Sequence, residues 1–135
     1  MMTADEIIAA ARAELGTPFV HQGRLPGKAL DCAGLAVVVA SHWHAVNEPR
    51  AYGRSPHMGL LQQWVEAQDF LEPASKPEAG HLMLMRFSKE PQHLAICAGE
   101  TIIHSYSIVG KVVEHRFSDV WRARVVKAYR FKDMV

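Results

Sequence analysis

Between Pro73 and Pro77 the hydrophobic rhythm of this chain changes from helical to alternating. Before that point apolar residues recur every three or four positions. After it they alternate in short runs, the period of a strand with one buried face. Helices first and strands afterwards predict an α+β fold, with N-terminal helices packed on one face of a central antiparallel β-sheet of about five strands. No linker, internal repeat or low-complexity run interrupts the 135 residues, so one domain is expected over 1–135.

The helical half divides at its breakers. Thr3 and Glu6 have the spacing of a capping box, Ile7, Ile8, Ala11 and Leu15 share one face, and Gly16 is a natural stop. Pro18, Gly23, Pro26 and Gly27 make the stretch from Gly16 to Leu30 a loop. A second helix is predicted from Cys32 to Ala45 with Asp31 as N-cap, apolar nearly all round and therefore central. A loop follows over Asn47–His57, then a third helix over Met58–Phe70, with Leu61, Trp64, Val65 and Gln68 at helical spacing. The strand candidates are Leu82–Phe87, His93–Ala98, Thr101–Ser105, Lys111–Phe117 and Val125–Phe131. Gly99-Glu100 reads as a two-residue hairpin turn and Val109-Gly110-Lys111 as another turn.

Composition narrows the function classes. Net charge is +1 with histidines neutral, so nothing global draws the chain to nucleic acid or an anionic membrane. Arg116, Arg122, Arg124, Lys127, Arg130 and Lys132 crowd the C-terminal end and read as a solvated strand edge. No apolar run approaches the roughly 20 residues that a membrane helix needs, and Met1–Glu6 has no signal-peptide character. The chain is expected to be made in the cytoplasm. Two cysteines, Cys32 and Cys97, do not form a disulfide framework.

Candidate chemistry gathers on Cys32. The thiolate, not the thiol, is the nucleophile, and a helix N-terminus favours an anion and offers N–H groups to an oxyanion. On position alone, Cys32 reads equally as a small buried hydrophobe. Two histidines add to the first reading. If Gly99-Glu100 is a two-residue turn, Ala98 faces Thr101 and Ala95 faces His104. His93, two residues before Ala95, then lies on the same sheet face as His104, a diagonal neighbour roughly 7–8 Å away at the backbone. One ring can take the thiol proton while the other holds it in the right tautomer. A three-residue turn would put the two rings on opposite faces.

The other histidines carry less. His42 and His44 face different directions on a helix, while His21, His57, His81 and His115 scatter over loops and strand ends. No His-Glu-x-x-His spacing occurs, and neither a metal nor another cofactor is expected. Met83 and Met85 share a strand face and read as core; Trp43, Trp64 and Trp121 read as isolated.

The segments Leu15–Arg24, Gly27, Asp31-Cys32-Ala33-Gly34-Leu35, Gln92-His93-Leu94-Ala95-Ile96 and Ile102-Ile103-His104-Ser105-Tyr106 carry a resemblance. Val113-Glu114-His115 and Ala128-Tyr129-Arg130-Phe131 extend it over nearly the whole chain. Together they resemble the NlpC-type cell-wall cysteine peptidases, a compact papain-like family, most closely the version carried by phage tails and gene-transfer-agent particles. The resemblance implies a catalytic Cys32, His93 as general base and His104 as the residue orienting it. It implies cleavage of peptidoglycan stem peptides beside D-glutamate or a diamino acid, action in the bacterial wall from a virion tail, and tail hub proteins as partners. It also points to a substrate-binding set with departures. Phe19 stands where the family usually has tyrosine, and Ala33 where many members have a serine that helps Asp31 bind the substrate's amino end. Gly80-His81 replaces the common Gly-Asp. A non-catalytic tail plug on the same fold and a thiol acyltransferase are the alternatives.

Overall fold

The computed structural model describes residues 1–47, 59–88 and 91–135. Among the described residues, four helices and eight strands follow one another as α1 (Ala4–Arg12), β1 (Arg24–Leu25), β2 (Ala29–Leu30), α2 (Cys32–Ala40), α3 (Leu60–Glu66), β3 (Leu71–Ala74), β4 (Leu82–Arg86), β5 (Pro91–Cys97), β6 (Thr101–Tyr106), β7 (Lys111–Arg116), α4 (Asp119–Arg122) and β8 (Val125–Phe131). The architecture is α+β, as the periodicity predicts. The main sheet has six strands in the order β3-β8-β4-β5-β6-β7, and β1 with β2 forms a separate two-stranded ribbon.

The extra strand is β3, paired antiparallel to β8 with Pro73 opposite Tyr129. Proline lacks a ladder N–H and is confined to positions such as a sheet edge, which is where β3 lies. This strand moves β8 inward. The basic residues of β8 are therefore not on a solvated edge: Lys127 reaches Glu66 at 2.9 Å and Arg130 reaches Glu72 at 3.3 Å, whereas Arg116 lies exposed on the edge strand β7.

Helix α1 begins as expected, with the Thr3 side chain accepting from the Glu6 N–H and Glu6 answering. It stops at Arg12, so Leu15 lies beyond the helix and is exposed. Helix α2 also ends early, at Ala40, where the Ser41 hydroxyl takes up the Val37 carbonyl at 2.6 Å. Helix α3 starts after Gly59, whose φ of 68° breaks the chain there. The expected loop lies outside the described residues but for Asn47, as does Met58.

Two cores flank the sheet. The larger holds Ile7, Leu35, Val39, Leu61 and Val65 from the helices against Leu82, Leu84, Leu94, Ile96, Ile103, Tyr129 and Phe131. Each such leucine or isoleucine, fully buried, contributes about 1.5–3 kcal/mol. The smaller, on the other face, holds Met83, Met85, Ala95, Cys97, Ile102 and Phe117, with Trp121 and Val125 packed on it.

The hairpin joining β5 to β6 has the predicted register: Ile96 faces Ile103, Cys97 faces Ile102, and the Ala98 N–H donates to the Thr101 carbonyl at 2.9 Å. Of the two turn residues only Gly99 has positive φ, +91°, which matches a II′ turn. Among the described residues, no helix is long and apolar enough to cross a membrane.

Candidate active site

Asp31 caps α2 and is itself buried. Its carboxylate accepts from the Gly34 N–H at 2.7 Å and the Gln22 N–H at 2.9 Å, and pairs with the Arg24 guanidinium at 2.8 Å. One side chain thus fastens the helix start to the preceding loop. Ser105 adds a tie from the sheet, its hydroxyl donating to the Leu30 carbonyl at 2.7 Å. Gly34 is glycine for a steric reason: a Cβ there would run into the Gly23 carbonyl.

These contacts fix the helix start that carries Cys32. Alternation along β5 directs the Leu94 N–H away from β4 and toward β6. At that point the Cys32 sulfur faces the backbone of Leu94, the residue after His93. Cys32 and Cys97 are both free thiols, so no bridge consumes the sulfur.

The helix start does not acidify this thiol, contrary to expectation. Burial pushes the Cys32 thiol up to about 12, and the Asp31 carboxylate adds to the rise. The Leu94 and Ala33 N–H groups and Arg24 oppose it without reversing it. The same carboxylate that caps the helix therefore counteracts the helix field at the neighbouring sulfur.

His93 and His104 meet. Their strand rows are those of Ala95, Cys97 and Ile102, on the side of the smaller core, and His93 Nε2 lies 2.6 Å from His104 Nδ1. A third ring, absent from the sequence reading as a site residue, continues the line. His104 Nε2 lies 2.8 Å from His115 Nε2, and His115 Nδ1 lies 2.9 Å from the Arg116 carbonyl oxygen. That carbonyl can only accept, so with one proton on each ring it orders the whole line. His115 donates from Nδ1 and accepts at Nε2; His104 donates from Nε2 and accepts at Nδ1; His93 donates from Nε2. The His93 Nδ1 lone pair is then the free end, the tautomer a general base requires. Burial pushes His93 down to about 3, helped by the charge on Arg124, and burial with the flanking rings pushes His104 down to about 2. Both rings are neutral across the physiological range.

An aromatic wall encloses these rings. Trp121 is not isolated: its ring lies 5.1 Å from His104, 4.8 Å from His115 and 5.5 Å from Tyr106. Phe87 lies 5.0 Å from His93. The signal for His115 was its place on β7 opposite Ile102, two residues from the position facing His104, the same-face rule already applied to His93.

The three substrate-binding candidates fare differently. Ala33 is fully buried in the larger core, so its methyl group presents nothing to a cleft. Asp31 has its carboxylate engaged inside the chain, as described. Phe19 is half-buried, its N–H bonded to the Gly110 carbonyl at 2.9 Å. His81 is buried, and its Nδ1 accepts the Glu78 N–H at 3.1 Å, a turn-stabilising contact.

Solved structures share this architecture. The NlpC/p60 domain of the peptidoglycan hydrolase SagA is 22% identical, with a TM-score of 0.65 over 94% of this chain and 97% of that one. NlpC1 from Trichomonas vaginalis is 14% identical, with a TM-score of 0.70 over 95% of this chain and 44% of that one. An NlpC/P60 family protein from Bacillus cereus ATCC 10987 is 19% identical, with a TM-score of 0.67 over 96% of this chain and 40% of that one. The chain therefore spans nearly all of the first and less than half of the other two. A comparison with curated protein sequences finds no match. At these identities the structural likeness speaks for the fold. The family model matches residues 16–130, from the end of the first helical turn region to the last strand, and on that match the chain belongs to the NlpC/P60 family.

Proposed function

We propose that this chain is a cysteine peptidase that cleaves peptide bonds in peptidoglycan stem peptides, acting as one domain over residues 1–135. The observation that carries the reading is the histidine line, 2.6 Å from His93 to His104 and 2.8 Å on to His115, which leaves a lone pair at His93 Nδ1. Family membership supports the substrate class, as does the fold shared with a peptidoglycan hydrolase domain. The depressed histidines and raised thiol favour a neutral resting pair over a preformed thiolate–imidazolium pair. In the reaction, the Cys32 sulfur attacks the scissile carbonyl as its proton passes to His93 Nδ1. The imidazolium returns that proton to the leaving amine, giving a thioester, and water activated by His93 releases the acid and regenerates the thiol. His104 and His115 hold the base in its tautomer throughout.

The setting we propose is the bacterial cell wall, reached on a phage-like tail with tail hub proteins as partners. Its support is the resemblance of the motif segments to that version of the family. Incubation with purified muropeptides beside a Cys32→Ala control tests the activity. Cleavage by the parent chain and at least a thousandfold loss in the variant are expected. Turnover that persists in Cys32→Ala, or no turnover of any stem peptide, refutes it.

A second reading, a non-catalytic plug on a tail hub, draws on the thiol held up at about 12. It requires that Cys32→Ala leave particles infectious. A thiol acyltransferase would share the chemistry and differ in the acceptor, which muropeptide products with a new peptide bond would reveal.

A further inference from the structure

The basic residues from the last helix onward are not alike in what holds them. Lys127 and Arg130 have carboxylate partners at 2.9 and 3.3 Å. Arg122 donates from Nε to the Phe117 carbonyl at 3.1 Å, with its guanidinium over that residue's ring. Among the described residues, the Arg124 guanidinium is held by rings: it lies 4.4 Å from the Trp121 ring centre and 5.2 Å from that of Phe87. Among the described residues it forms no salt bridge with a carboxylate. An arginine seated face-on against aromatic rings keeps its charge and its N–H fork available at the edge, while the rings limit the conformations it can adopt.

The backbone explains why this cation stands beside the site. β4 has irregularities on both sides, between Leu84 and Met85 toward β8 and between Met85 and Arg86 toward β5. Such irregularities turn a strand end and re-aim its side chains. Beyond them the Arg86 N–H bonds the Arg124 carbonyl at 3.0 Å, which brings the segments carrying Phe87 and Arg124 together. Phe87 contacts the His93 ring at 5.0 Å, Trp121 contacts His104 at 5.1 Å, and the charge of Arg124 reaches His93. Phe87 is 41% exposed and Arg124 partly so, leaving this wall open to a ligand.

We propose that Arg124, braced by Trp121 and Phe87, is a carboxylate-binding subsite that selects acidic peptides for the site at Cys32 and His93. The inference rests on the peptidase reading and deepens it by assigning the residue that would read an acidic group of the substrate. A guanidinium fork binds a carboxylate in two parallel charge-assisted hydrogen bonds, and a carboxamide satisfies only part of that geometry. Engagement also offsets the positive field at the general base, so an acidic peptide improves the base it is presented to.

The test uses two stem peptides alike except that one bears a free α-carboxylate where the other bears a carboxamide. Binding is read by calorimetry on Cys32→Ala, which needs no turnover, and cleavage on the parent chain. The carboxylate peptide is expected to bind and react at least tenfold better. In binding to Cys32→Ala, Arg124→Gln is expected to erase that preference, bringing the carboxylate peptide about tenfold down to the affinity of the amide peptide. Arg124→Lys, which keeps charge without the fork, should retain part of it. Equal binding of the two peptides by Cys32→Ala, or an equal loss for both in Arg124→Gln at unchanged melting temperature, overturns the subsite. A binding preference without any Cys32-dependent cleavage would support the subsite while refuting the peptidase reading.

Discussion

Helices α1 and α2 both start on an oxygen side chain that accepts the N–H three residues on, Thr3 from Glu6 and Asp31 from Gly34. The α1 cap sits at the surface and is closed within four residues by the Glu6 carboxylate. The α2 cap is buried, and its second half comes from across the loop, from Arg24 and the Gln22 N–H. The third residue of the helix shows the reason. In α1 it is a glutamate with room to fold back; in α2 it is a glycine whose missing side chain is the space occupied by the Gly23 carbonyl. The first cap is a stability device. The second also sets the charge beside a sulfur.

The contrast has measurable edges. Asp31→Ala should cost the most, about 3–5 kcal/mol by urea denaturation, because it strands the Arg24 charge in a site only 15% exposed. A loss below about 1 kcal/mol would mean the pair is no more than a surface contact. The next effect is on chemistry. In a Cys97→Ala background, alkylation of Cys32 by iodoacetamide should be slow at neutral pH and rise toward pH 12, since the thiol sits at about 12. Asp31→Asn should bring that rise to lower pH, with alkylation at a fixed alkaline pH up about tenfold, because removing a negative neighbour favours the thiolate. An onset that does not move would separate the cap from the sulfur. Thr3→Ala should be the smallest, about 1 kcal/mol, with no change in Cys32 alkylation.

Much of this was legible in the residues. The capping box at Thr3, the start of α2 at Cys32, the strand Val125–Phe131 and the turn at Gly99-Glu100 follow from local rules, because each needs only neighbours within a few positions. The hairpin register follows from the turn, and with it the meeting of His93 and His104. Helix ends were less legible. Ala13 to Leu15 and Ser41 to Ala45 suit a helix by pattern, yet the chain turns away at Arg12 and Ala40. Strand β3 lay hidden in a proline-bearing stretch whose pairing partner is more than fifty residues away.

The amino-acid sequence by itself determined what is local: the caps that start α1 and α2, the strands from β4 to β8, and which two histidines share a sheet face across a two-residue turn; the short β1–β2 ribbon in the expected loop, β3 and α4 were not legible. Only the tertiary structure decided the environment of those groups. It placed His115 at the end of the histidine line, seated Arg124 on Trp121 and Phe87, filled Asp31 with partners, and raised the Cys32 thiol instead of lowering it. The physical reason is range. Hydrogen bonds in turns and caps act over a few residues of chain, whereas desolvation and charge act through space and depend on every element packed around a group.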